Sequence, residues 1–252
     1  MGKPKILFKY RDISTTEQLI RVIDSINNNK IFFPTYDKLN DPLEGSAYYI
    51  EPEGYAGISI THAADEMPLH IAQLKNGYHV LAFSESCFSP SMWAYYANTY
   101  TGVCIGYWAD YTFANAEKVY YTSSAIISGK TNNYGYVDEK DIDEEIYKSF
   151  MYKHTDWSME QEWRIIEKDY NDSFIHYKSD ELACVILGNC MKTETKNFII
   201  NSIHIDVPIF IVIPGHRSFG INLLDINTEM EHDGCPPPFI RSTNDLINHI
   251  KR

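Results

Sequence analysis

At 252 residues with 44% hydrophobic content, the chain is long enough to bury one sizeable core. A net charge of -12 and a pI near 5.1 argue against nonspecific nucleic-acid or anionic-membrane binding through net charge. The five cysteines are an odd count without a Cys-x-x-Cys pair, which excludes a disulfide framework or a zinc knuckle and fits a reducing cytoplasm.

In chain order, Ile6 to Arg11 reads as a strand with Phe8 and Tyr10 on one face and Lys9 and Arg11 on the other. Ser14-x-x-Glu17 is a capping-box pattern, and Leu19, Ile20, Ile23 and Ile26 continue it at helical spacing until the asparagine run at 27–29. Lys30 to Phe33 is a short strand ended by Pro34, and Asn40-Asp41-Pro42-Leu43-Glu44-Gly45 is a turn. An interrupted helix over 61–76 precedes a strand from Tyr78 to Ser84. Ser89-Pro90 is an N-cap followed by proline at the first helical position, opening a helix from Ser91 to Asn98 that carries Met92, Trp93, Tyr95 and Tyr96. Strands at Gly102–Trp108 and Lys118–Thr122 lead to a polar loop over 123–136, and an amphipathic helix runs from Asp138 to His154.

The stretch Glu160-Gln161-Glu162-Trp163-Arg164 is read as extended, so Glu160, Glu162 and Arg164 share one face while Gln161 and Trp163 take the other. Two carboxylates so placed raise each other's proton affinity unless a cation intervenes, and Arg164 or a basic residue from another element fills that role. Such a cluster is either a site or a structural ion-pair network, and the sequence leaves both open. Further strands at 174–177, 183–187, 207–213 and 221–226 and helices at 193–203 and 243–251 complete the chain. Strands outnumber helices without regular alternation, which favours α+β with a mixed, largely antiparallel sheet flanked by helices. A single domain over 1–252 is expected, with residues 191–252 packed on the rest.

No phosphate-binding loop, dinucleotide fingerprint, His-Glu-x-x-His or nucleophile elbow is present, so neither a common nucleotide fold nor catalytic zinc is indicated. Lys9 and Arg11 suit a phosphate or carboxylate, or else are solvated or ion-paired. The turn containing Asn40 and Asp41 presents Glu44 to a cleft or merely builds the turn. Trp93, Tyr95 and Tyr96 form either a stacking surface or core packing.

Six blocks together resemble the bacterial family known as domain of unknown function 2971: Phe8–Arg11, Leu39–Glu44, Phe83–Glu85, Met92–Ala97, Gly102–Tyr107 and Glu160–Arg164, ending near Ile186-Leu187-Gly188. The similar region covers about 6–190. The order of Lys9 and Arg11, then Ser84 and the Trp93–Tyr96 helix, then Glu160-x-Glu162 more distantly resembles ADP-ribosyltransferase-like proteins, especially the DNA-modifying toxin branch. That resemblance implies an ADP-ribosyltransferase-like fold and a transferase or glycohydrolase using NAD as substrate. In it Glu162 is the catalytic carboxylate, Glu160 orients ribose or acceptor, and Lys9 and Arg11 bind phosphates. Asn40, Asp41, Glu44, Ser84 and Arg164 line the ligand, and Trp93 or Tyr96 stacks the leaving base. The subclass histidine is absent, with Lys9 in its place. The alternative is a non-catalytic ligand- or partner-binding module of the kind used in phage defence or stress response. A nucleotide ligand, a cytoplasmic location, no membrane and no metal are expected in either case.

Overall fold

The computed structural model describes residues 2–39, 75–123, 142–215, 219–229 and 239–251. The turn with Asn40, Asp41 and Glu44, nearly all of the 61–76 helix and nearly all of the 123–136 loop lie outside the described residues.

Alternating apolar residues build β1 (Ile6–Arg11), which pairs antiparallel with β4 (Val103–Trp108) over its full length, from Ile6 with Trp108 to Arg11 with Val103. Between them in sequence come α1 (Thr16–Asn27), β2 (Lys30–Phe32), β3 (Tyr78–Ser84) and α2 (Pro90–Tyr96). After β4 follow β5 (Glu117–Lys118), β6 (Tyr120–Thr122), α3 (Ile142–Met151), β7 (Tyr152–His154), β8 (Glu162–Lys168), β9 (Phe174–His176) and β10 (Leu182–Leu187). The C-terminal part supplies α4 (Thr193–Ser202), β11 (Ile209–Pro214), β12 (Ile221–Asp225), the short α5 (Ile226–Glu229) and α6 (Thr243–Ile250).

The main sheet has eight strands in the order β12-β11-β10-β4-β1-β3-β8-β5, with the β10–β11 pair parallel and its other pairings antiparallel. β2 with β9 and β6 with β7 form two small ladders beside it. This is the α+β architecture with a largely antiparallel sheet that the order of elements predicts.

Strand alternation gives the sheet two apolar faces. One face places Leu7, Leu81, Phe83, Val103, Ile105, Trp163, Ile165, Val185 and Leu187 against Val22 and Ile26 of α1, Ile31, Phe33 and Ile199. The other carries two separate clusters. Ile6, Phe8, Tyr10, Cys104 and Ile186 pack under Trp93 of α2 and Leu246 of α6, while Tyr78, Val80 and Ile166 pack under Ile146 and Phe150 of α3. The space between these two clusters holds the polar residues described below.

Several sequence expectations shift. The capping box of α1 is Thr15 with Gln18 rather than Ser14 with Glu17, because Ser14 instead donates to Asp12 and Gln18. The helix expected to reach His154 stops at Met151, and residues 152–154 pair in parallel with β6. The strand expected over 118–122 divides into β5 and β6, which pair with different partners. Glu160 is not extended. It ends a 3₁₀ segment, Thr155–Glu160, and Gln161 turns the chain into β8 in the left-handed region at φ 47° and ψ 53°.

Candidate functional site

The carboxylates reach one another by that turn. Glu162 opens β8 opposite Ser84 and Arg164 lies opposite Ala82, so these four share a face of the sheet. Glu160 would follow by alternation in a continuous strand. It arrives instead through the 3₁₀ segment, whose end is pinned where the Ser84 hydroxyl donates to the Glu160 carbonyl at 2.7 Å and Glu85 N–H donates to the Gln161 carbonyl at 2.9 Å.

Arg164 grips Glu162 with two prongs, Nε to Oε1 at 2.7 Å and Nη2 to Oε2 at 2.9 Å, and its Nη1 donates to the Phe150 carbonyl at 2.5 Å. Lys153, on β7, bridges the two acids, 2.5 Å from Glu160 Oε2 and 3.2 Å from Glu162 Oε2. The Tyr96 hydroxyl, at the end of α2, donates to Glu160 Oε1. Glu162 N–H donates to the Tyr121 hydroxyl at 2.8 Å. Glu160, Glu162, Lys153 and Arg164 are all buried.

The two acids are driven apart electrostatically. Burial pushes the Glu162 carboxyl up, but the Arg164 guanidinium and Lys153 ammonium outweigh it and hold the group at about 2. Burial first, and then the Glu162 charge, raise Glu160 despite its contacts with Lys153 and Tyr96. Burial and the bond to Glu160 raise the Tyr96 phenol, so it remains a proton donor.

A groove of about 490 Å³ borders the cluster, lined by Tyr95, Tyr96, Asp156, Trp157 and Met159. Tyr96 belongs to both, and the Trp157 ring lies 5.1 Å from the Lys153 ammonium, a cation–π contact over the bridge. The α2 helix sets Tyr96 in place. Its N-cap Ser89 accepts from Met92 N–H, Pro90 occupies the first turn, and Trp93 is buried edge-on against Tyr10 at 5.3 Å.

The sequence-predicted residues therefore separate into groups. Glu160, Glu162, Arg164, Ser84 and Tyr96 converge. Arg164 is engaged by Glu162 and the Phe150 carbonyl. Ser84 holds backbone. Trp93, read from the sequence as either stacking surface or core, is fully buried, its Nε1 donates to the Cys87 carbonyl at 2.8 Å, and Tyr100 covers its face. Lys9 and Arg11 leave β1 on the side of Leu7, opposite the carboxylates, and the Lys9 ammonium donates to the Ala82 carbonyl at 2.6 Å, where the Glu162 and Glu160 charges act on it. Asn40, Asp41 and Glu44 lie outside the described residues.

Lys153, Tyr121, Asp156 and Trp157 are the residues that sequence reasoning missed. The acidic pair demanded a cation from another element, but its position within an expected helix hid Lys153. Among the described residues no His, Cys, Asp or Glu group could hold a metal, and no helix is long and apolar enough to cross a membrane.

No curated protein and no solved structure matches the chain. Over residues 92–165, from α2 to β8, the chain matches the sequence model of the family described as Protein of unknown function (DUF2971), and that segment carries Tyr96, Tyr121, Lys153, Glu160, Glu162 and Arg164.

Proposed function

We propose that this cluster is a glycosyl-transfer site, an NAD-using transferase or glycohydrolase of ADP-ribosyltransferase-like type, in which Glu160 rather than Glu162 meets the reacting atoms. The supporting observation is the split between two neighbouring carboxylates. Glu162 is locked as an anion by two cations, while Glu160 is raised and touches the hydroxyl that walls the groove. Carboxylates with proton affinities pushed apart are what acid–base chemistry near neutral pH requires. The flat walls of Tyr95, Tyr96 and Trp157 suit a planar ring, and Asp156 suits a positively charged one such as the pyridinium of NAD.

In the step, the bond between C1′ and the pyridinium nitrogen breaks and its electron pair neutralises the ring, which leaves as nicotinamide. The oxygen of a water or acceptor hydroxyl forms a new bond to C1′, and ionised Glu160 accepts the proton that this oxygen loses. Glu162 is a positioning residue that keeps Lys153 and Arg164 in place.

One observation favours the non-catalytic alternative: every oxygen of both carboxylates already has a protein donor. In that reading the groove binds its ligand and the cluster only fastens the 3₁₀ segment. The decisive measurement is free nicotinamide after incubation with NAD, for the native chain and Glu160→Gln, with melting temperatures on the same samples. Release that the variant loses, at little cost in stability, establishes transfer. No release with a raised melting temperature identifies a binding module, since a ligand specific to the native state stabilises it. Neither signal leaves the cluster as architecture.

A further inference from the structure

The groove beside the carboxylate cluster is walled by two short elements joined through one hydrogen bond. Tyr95 and Tyr96 come from the end of α2, and Asp156, Trp157 and Met159 come from the 3₁₀ segment Thr155–Glu160. The Tyr96 hydroxyl is committed to Glu160, which holds its ring in place. Tyr95 is 72% exposed, although the helix that carries it is anchored by the buried Trp93. Three aromatic rings and a thioether around one concavity form a contiguous apolar surface of the kind that a ligand covers.

Charge narrows what that ligand is. On this face of the sheet Glu160 and Glu162 balance Lys153 and Arg164, two anions against two cations. The Lys153 ammonium lies 5.1 Å from the centre of the Trp157 ring, so the indole is held where its π-system attracts cations. Asp156 then sets the sign of the groove. Its N–H donates to His154 Nδ1 at 3.3 Å, so that nitrogen acts as an acceptor and has no proton for the Asp156 carboxylate, whose Oδ2 also stands 3.3 Å away. Among the described residues no other cation pairs with that carboxylate. Hydrogen bonding narrows the choice further. With the Tyr96 hydroxyl taken by Glu160, the side chains lining the groove offer Asp156, the Tyr95 hydroxyl, rings and a thioether. A primary ammonium or guanidinium entering there gives up hydrogen bonds to water that these walls do not replace, whereas a quaternary ammonium has no N–H to satisfy.

We propose that this groove binds a small quaternary ammonium ion, a choline-type cation seated against Tyr95, Tyr96 and Trp157 with Asp156 as its counter-charge. Its volume of about 490 Å³ is that of a small-molecule site. The proposal shares its groove with the glycosyl-transfer reading but goes beyond it, since it needs neither NAD nor a reacting carboxylate.

The test is thermal shift and calorimetric titration of the full chain with choline at fixed ionic strength. Ethanolamine serves as its primary-ammonium counterpart and dimethylbutanol as its uncharged carbon isostere. Choline is expected to raise the melting temperature saturably, by about 5–10 °C at a hundred times Kd, with both controls weaker. Asp156→Asn keeps the backbone N–H that His154 accepts, and Tyr95 is exposed, so Asp156→Asn and Tyr95→Ala are expected to fold and to weaken choline binding by about three- to tenfold each. Choline binding without nicotinamide release from NAD upholds this site and sinks the glycosyl-transfer reading alone, while release with choline inert does the reverse. The proposal is overturned if choline has no saturable effect, if either control acts as strongly, or if both variants bind choline as the native chain does. A trimethyl-lysine peptide that binds far tighter than choline also overturns it, because the occupant is then a protein.

Discussion

Glu160 and Glu162 are chemically the same residue two positions apart, and their surroundings give them different properties. Replacing Glu162 by Gln leaves Arg164 and Lys153 buried with half their counter-charge, so a loss of about 3–5 kcal/mol is expected, read as a large drop in melting temperature. Glu160→Gln also takes a counter-charge from Lys153, and with its oxygen on the Tyr96 hydroxyl its amide N–H faces the Lys153 ammonium, but it removes a charge that burial already disfavours, so its cost is expected to be smaller than that of Glu162→Gln. Glu160→Gln is therefore the better probe of activity. The two acids also act oppositely on pH stability. Glu162 is depressed from 4.5 to about 2, so the unfolded chain takes up a proton there before the folded one does. Its contribution, about 3 kcal/mol above pH 4.5, is lost as pH falls through 2. Glu160 is raised, so its contribution is present below pH 4.5 and is lost as pH rises through its folded value. In a pH series of melting temperatures, Glu162→Gln should flatten the acid side and Glu160→Gln the side above pH 4.5.

At the scale of elements, two left-handed stretches place the site residues. Gln161 at φ 47° breaks what would be one strand and swings Glu160 back over Lys153. A β-branched side chain tolerates that backbone poorly, so Gln161→Val is expected to cost about 1–2 kcal/mol and to pull Glu160 away from its partners. The shift would show as loss of the Glu160 limb in the same pH series. After α2, Asn98, Thr99 and Tyr100 run consecutively at φ 44°, 52° and 64°. Thr99 is β-branched and exposed there, so Thr99→Gly is expected to raise stability by about 1 kcal/mol in chemical denaturation and leave Tyr96 undisturbed. The cap of α2 was legible because Ser89-Pro90 acts locally. The cap of α1 was misplaced by one residue because Asp12 competes for Ser14.

For the whole molecule, the site exists because one face of the sheet carries two apolar clusters with a gap between them. Cys104, Trp93 and Leu246 belong to one, and Val80, Ile146 and Phe150 to the other. Phe150 joins the scales, since its ring fills the second cluster while its carbonyl accepts from Arg164. At the end of β10, Gly188 N–H donates to the Gly102 carbonyl at 3.0 Å, and a Cβ on Gly188 would stand 2.0 Å from the Tyr100 carbonyl oxygen. Gly188→Ala is thus expected to push back the turn that closes α2 and to cost about 1–3 kcal/mol, with the melting temperature as the measure.

Local rules accounted for β1, β3, the cap of α2 and the α+β class, because alternation, turn residues and capping depend on neighbours in sequence. They also placed Glu162 and Arg164 on one face and required a cation from elsewhere. Which cation answered was decided by tertiary structure: Lys153 arrives on β7, whose pairing with β6 joins residues about thirty positions apart. Sheet order likewise made Lys9 and Arg11 leave β1 on the far face from the acids, with the Lys9 ammonium bonded to the Ala82 carbonyl of the neighbouring strand. Strand alternation tells which residues of a strand share a side. Which side of the sheet that is, relative to a distant strand, follows only from the pairing register, and register is set by packing over the whole chain.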